Sequence, residues 1–104
     1  SVAAAVTTSL KVATGICLVV QRDPIQTAKL VASLDQISSG RFLFGVGAGW
    51  NSEEMKNHGT DYSTRTLLLK ERLEAMREIW ANEHASYQGK FVKFSEIIAN
   101  PKPI

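Results

Sequence analysis

Residues 11–20 read Lys-Val-Ala-Thr-Gly-Ile-Cys-Leu-Val-Val, and residues 41–50 read Arg-Phe-Leu-Phe-Gly-Val-Gly-Ala-Gly-Trp. Lys11 to Val20 and Arg41 to Val46 are apolar almost throughout. Continuous rather than alternating hydrophobicity predicts strands buried on both faces, as in a parallel sheet. Between them, Asp23-Pro24 is a helix start, with Asp as N-cap and Pro at the first helical position. Ile25, Ala28, Val31, Ala32 and Leu34 then recur at helical spacing to about Gln36. Ser38-Ser39-Gly40 ends that helix. Strand, helix and strand make one βαβ unit with a right-handed crossover. Two parallel strands alone would leave both edges open and their apolar faces in water. The sequence therefore asks for more sheet than it contains, and predicts a piece of a larger α/β domain.

Outward from this unit, Val2 to Thr8 reads as the last turns of a helix. After Trp50, Asn51 or Ser52 caps a short helix through Lys56, whose first turns hold Glu53 and Glu54. His58 to Asp61 is a loop. Asp61 or Ser63 caps a long helix ending near Ala81, with Tyr62, Leu69, Leu73, Met76 and Trp80 on one stripe. Lys70–Glu74 and Glu74–Arg77 are placed as surface pairs. Tyr87 to Phe94 reads as a short hairpin around Gly89-Lys90. Pro101 and Pro103 forbid regular helix after it.

The 104 residues suit one domain, and 12 basic against 10 acidic side chains leave a net charge of +2. Charge this balanced argues against nucleic acid or anionic lipid as a partner. No apolar run approaches the roughly 20 residues of a membrane helix. A single cysteine, Cys17, excludes an intrachain disulfide and a multi-thiol metal site, and fits a reducing, cytoplasmic setting. It reads as a small buried hydrophobe rather than a nucleophile. His58 and His84 each lack a second ligand at metal-binding spacing, so no metal is expected. Residue 1 is Ser, and the N-terminal stretch has no signal-peptide features. Both ends read as cut from something longer. On this reading the isolated chain should fold poorly or associate through its open edges.

Gly45-Val46-Gly47-Ala48-Gly49-Trp50 carries the sharpest chemical signal. In α/β folds, ligands bind at the C-terminal ends of strands, and missing side chains let a ligand approach the backbone. The pattern G-x-G-x-G is neither the dinucleotide fingerprint nor a P-loop. Ligand binding and tight packing both remain open for it. Gly15, inside the first strand, marks a bulge or a packing contact. Trp50 suits either the wall of a planar-ligand site or a core position beneath the next helix.

A spaced series of residues carries a resemblance. It runs from Asp23-Pro24 through Ala28-Lys29, Ser33-Leu34-Asp35, Ser38-Ser39-Gly40-Arg41 and Phe44 to Trp50. Glu53-Glu54, Arg65, Glu71-Arg72-Leu73, Ile79-Trp80, Tyr87 to Phe91 and Pro101-Lys102-Pro103 continue it. The series resembles the luciferase-like monooxygenase family, which includes bacterial luciferase-type enzymes and oxidoreductases that use coenzyme F420. The resemblance implies a TIM (β/α)8 barrel, which needs roughly 250 residues. This chain would then be an internal fragment of one such domain: the third and fourth strand-helix units plus the start of an insertion. It further implies a cis peptide bond at Gly15-Ile16 within a bulge. Thr14, Gly15, Ile16, Ala48, Gly49 and Trp50 are the implied cofactor-binding residues. The implied cofactor is F420 in a hydride-transfer enzyme, with FMN in a monooxygenase as the alternative. The F420 branch is favoured by the form Gly-Ala-Gly-Trp followed by Asn-Ser-Glu-Glu. A small organic molecule is the implied substrate, and a homo-oligomer the implied assembly. No catalytic acid or base is assigned, and Glu54 is the acidic side chain to test. A non-catalytic barrel relative and a phosphate-binding barrel enzyme stand as competing readings.

Overall fold

The computed structural model describes residues 1–104. Helix α1 spans Val2–Val6 and strand β1 Val12–Ala13, followed by a 3-10 turn at Val19–Gln21. Helix α2 covers Pro24–Ile37, strand β2 Phe42–Leu43 and helix α3 Ser52–Asn57. A second 3-10 turn at Tyr62–Thr64 leads into α4, Arg65–Ala81. Strands β3, Ala85–Gln88, and β4, Lys93–Ile97, complete the chain's regular elements.

β1 and β2 pair in parallel, Val12 opposite Phe42 and Ala13 opposite Leu43. α2 connects them, as the βαβ pattern requires. Asp23 caps α2 by accepting from the Ile25 and Gln26 amides at 2.8 and 3.0 Å. The Asp side chain satisfies donors that have no partner inside the helix.

The expectation of one continuous strand from Lys11 to Val20 is corrected. Pairing resumes only as a bridge between Cys17 and Val46. From Ala13 to Cys17 the first segment takes four residue steps, against three from Leu43 to Val46. That extra residue is a bulge, and it interrupts the ladder at Thr14–Ile16. Arg41 to Val46 is shortened for the same reason. Val19 and Val20 then leave the sheet altogether. They are fully buried, but beneath helices rather than between strands. Nor are the strands covered on both faces in this chain: Ala13 and Leu43 are exposed.

Helix α4 organises the interior. Val19, Ala28, Met76, Ile79, Ala85 and Ala99 form one buried cluster. Val20, Met55, Leu68, Ala75 and Val92 form the other. The predicted α4 stripe is therefore too narrow. Leu68, Glu71, Ala75, Met76 and Ile79 are the buried positions, with Leu69, Leu73 and Trp80 packed at the margins. The helix has α2 on one side and the β3–β4 hairpin on another, so a single stripe cannot serve it. Tyr62 lies outside α4 and is partly exposed. Asp61 caps the 3-10 turn that carries Tyr62, whereas Thr64 at the start of α4 makes no side-chain cap.

β3 and β4 are antiparallel, with Tyr87 opposite Phe94. Their turn is held from α4. Both oxygens of buried Glu71 accept from the Phe91 amide, at 3.1 and 3.2 Å. Tyr87 donates its hydroxyl to Glu74 Oε2 at 2.6 Å. Glu74 also lies 3.9 Å from Lys70, but makes no pair with Arg77. The hydrogen bond to Glu74, then burial, then the nearby carboxylates push the Tyr87 phenol up to about 12.

At the opposite end, Arg41 uses its whole guanidinium. Nε donates to Ser38 O, Nη1 to Thr7 Oγ1 and Leu10 O, and Nη2 to Ala4 O and Thr7 O. The bonds to Ala4 O and Thr7 O occupy carbonyls left open at the end of α1, and the bond to Ser38 O one at the end of α2.

Candidate functional site

The two glycine-bearing segments meet at the strand exits. Thr14 Oγ1 donates to Gly45 O at 2.7 Å, and Cys17 N donates to Gly45 O at 2.8 Å. Position 45 must lack a side chain, because a Cβ there would stand 2.3 Å from the Thr14 carbonyl oxygen. Gly49 has φ +80°, a left-handed conformation that suits glycine, and its missing Cβ leaves room for Met55 and Leu18. The Gly15–Ile16 peptide bond is cis.

The chain then turns into α3. Asn51 is its cap and accepts from the Glu54 amide at 3.1 Å. This places Asn51, Glu54 and Met55 opposite Gly15 and Ile16. Between them lies a cleft of about 320 Å³, lined by Gly15, Ile16, Leu18, Gln21, Gly49, Trp50, Asn51, Glu54 and Met55. Its size falls at the lower end of the ~300–1,000 Å³ usual for small-ligand pockets.

Gly15, Ile16, Gly49 and Trp50 thus come together as one wall system. Trp50 is 82% exposed and Ile16 54%, so the core position open to Trp50 in the sequence is not where it sits. Thr14 and Ala48 do not line this cleft. Thr14 instead borders a neighbouring hollow with Cys17, Leu34, Phe42 and Phe44.

Leu18, Gln21, Asn51 and Met55 are lining residues that sequence reasoning did not assign to the site. Gln21 had one readable sign, a polar side chain directly after an apolar run. Its Nε2 is buried without a hydrogen-bond partner. A buried unpaired donor of this kind costs about 1–3 kcal/mol. Arg72 holds the turn beneath it, with Nη1 donating to Val19 O at 2.8 Å and to Arg22 O at 2.7 Å. Burial lowers the Arg72 pKa from its ordinary value, while Asp23 acts to raise it.

No group of three or more His, Cys, Asp or Glu side chains is arranged to hold a metal ion. His84 lies instead against Glu96, Nδ1 to Oε1 2.6 Å. No helix is long and apolar enough to cross a membrane.

Comparison with known proteins decides the family. A model of the luciferase-like monooxygenases matches residues 1–104. The chain belongs to the luciferase-like monooxygenase family. An uncharacterized protein of Mycobacterium tuberculosis is 48% identical over 102 residues, which are 98% of this chain and 36% of that relative. The chain therefore spans about a third of this curated relative's length. The monooxygenase RslO1 from Streptomyces bottropensis superposes with a TM-score of 0.90 at 31% identity, over 97% of this chain and 31% of that one. The oxygenating constituent of 3,6-diketocamphane monooxygenase from Pseudomonas putida, solved with FMN, gives a TM-score of 0.79 at 28% identity, over 96% and 28%. The F420-dependent tetrahydromethanopterin reductase from Methanopyrus kandleri gives 0.78 at 24% identity, over 98% and 33%, a likeness of fold.

Proposed function

We propose that the full-length protein is an oxidoreductase that holds a flavin-type ring in the cleft between Gly15–Ile16 and Gly49–Trp50. In this reading the chain is an internal piece of a (β/α)8 barrel. β1 and β2 belong to its third and fourth strands, and the β3–β4 hairpin begins an insertion. The observation that carries the reading is the convergence of two strand exits and the N-terminus of α3 on one cleft.

The residues fit a planar ring with a polar edge. A Cβ on Gly15 would meet nothing within 4 Å, so the space beside this cleft-lining glycine is open. Ile16 offers an apolar face, and exposed Trp50 borders the opposite side. Such a ring supplies either hydride exchange with a small organic substrate, in the case of F420, or oxygen insertion, in the case of reduced FMN. The protein's part is to support one ring face, leave the other to substrate and limit water. Glu54 is the acidic side chain that lines the cleft and the one to test for a role in the chemistry.

F420 is the cofactor favoured by the run Gly-Ala-Gly-Trp-Asn-Ser-Glu-Glu, residues 47–54. A second reading, reduced FMN, is favoured by the FMN complex among the similar structures. Titration of the full-length protein with F420 and with oxidised and reduced FMN separates them. Selective F420 binding, lost in Gly15→Val, supports hydride transfer. Selective FMN binding supports oxygen insertion. A folded protein that binds neither would end the enzyme reading and favour a non-catalytic relative.

A further inference from the structure

We infer that Gln21 is a ring-recognition residue, its side-chain amide pairing with the carbonyl-bearing edge of the heterocycle held in the cleft. This rests on the ring-binding reading above and adds to it a residue outside the glycine segments.

Three observations converge on Gln21. Its side chain lines the same cleft as Gly15, Ile16 and Trp50. Its Nε2 is buried and makes no hydrogen bond within the protein. Its backbone is fixed on both sides: Gln21 N donates to Leu18 O and Arg22 N to Val19 O, each at 3.1 Å. Arg72 pins the same turn through Val19 O and Arg22 O, and the Asp23 cap of α2 follows directly.

An amide on so constrained a backbone is held in place before any ligand arrives. Buried polar groups in folded proteins are mostly paired; two buried donors of this chain are not, Gln21 Nε2 and Arg72 Nε, and of the two residues only Gln21 lines the cleft. Of the other cleft side chains, Ile16, Leu18 and Met55 are apolar, and neither Asn51 nor Glu54 accepts from Gln21 Nε2. A ligand polar group at the buried end of the cleft would complete the pairing. A primary amide presents a donor beside an acceptor. The pyrimidinedione edge common to flavins and deazaflavins presents the complementary pair, C=O beside N–H. Gln21 therefore recognises an edge that F420 and FMN share, and does not itself choose between them.

The test is ring binding by the full-length protein, read as ligand fluorescence, beside thermal melts of the ligand-free form. Gln21→Met keeps the length of the side chain and removes the amide. It should leave the ligand-free melting point unchanged or raised, because an unpaired donor disappears, and weaken binding of the preferred ring about tenfold. Gln21→Asn keeps the amide but withdraws it by one methylene, and should weaken binding in the same direction. Binding within twofold of wild type in both variants overturns the assignment, even where Gly15→Val abolishes binding and the ring reading stands. Wild-type protein that binds neither ring overturns both together.

Discussion

Helix α4 packs against both the β3–β4 hairpin and the turn at Val19–Gln21 beside the cleft, two regions built on opposite terms. On the hairpin side, Glu71 is buried and paired to the Phe91 amide, and Tyr87 and Glu74 pair with each other. On the cleft side, Trp50 and Ile16 are exposed and Gln21 Nε2 is buried without a partner. Both regions use polar groups against helices, so composition does not separate them. Satisfaction does. Where every buried polar group has its partner, the contact serves the fold. Where apolar surface stays open beside an orphan donor, the proposed ring would supply the partner. That is the pattern expected of a site rather than of a core.

The contrast breaks most readily at the shared core. Met76 is fully buried in the cluster with Val19 and Ile79. Met76→Ala should lower unfolding stability by about 2–5 kcal/mol, measured as a shift in the urea midpoint. It should disturb both regions at once.

Tyr87→Phe tests the hairpin side alone. Loss of this solvent-screened hydroxyl–carboxylate hydrogen bond should cost about 0.5–1.5 kcal/mol at neutral pH, with ring binding unchanged. The pH dependence has a definite sign. Folding holds the phenol proton to about 12, above the ~10 of an unfolded tyrosine, so the folded state binds more protons in that window. The contribution is complete below pH 10 and declines as pH rises toward 12. Wild type and Tyr87→Phe should therefore converge in stability across that range. A constant gap would sink the assignment.

Trp50→Ala sharpens the other side. An exposed residue outside any packed cluster should change stability by no more than about 0.5 kcal/mol. Ring affinity, by contrast, should fall several-fold in fluorescence titration. A large loss of stability with normal affinity would make Trp50 a structural residue after all.

Short-range chemistry is legible in the amino-acid sequence. The Asp23 cap, the Pro24 start, the Asn51 cap and the parallel pairing through α2 all follow from local residue types and spacing. The features that sequence misplaces depend on partners distant in the chain. An apolar run reports that side chains are buried, not what buries them. Val19 and Val20 therefore read as strand, although α4 and its neighbours cover them. The α4 stripe errs in the same way, because a helix packed on two sides has no single face. Within the site, the glycine segments are visible because missing side chains stand out. Gln21 is not, because an amide becomes conspicuous only once its lack of a partner can be seen.

Arg41 has a consequence for how the chain opens. Its guanidinium joins residues 4–10 to position 41, across separations of 31 to 37 residues. The joined ends enclose β1, the bulge and α2 in a non-covalent ring, in a chain whose single cysteine cannot form such a closure internally. Closing a loop of that length restricts the ensemble open to it. Fraying that starts at α1 must therefore break several bonds to one side chain before it reaches the strands. Amide protons from α1 through α2 should exchange with solvent as one unit. Arg41→Ala would divide that unit in two.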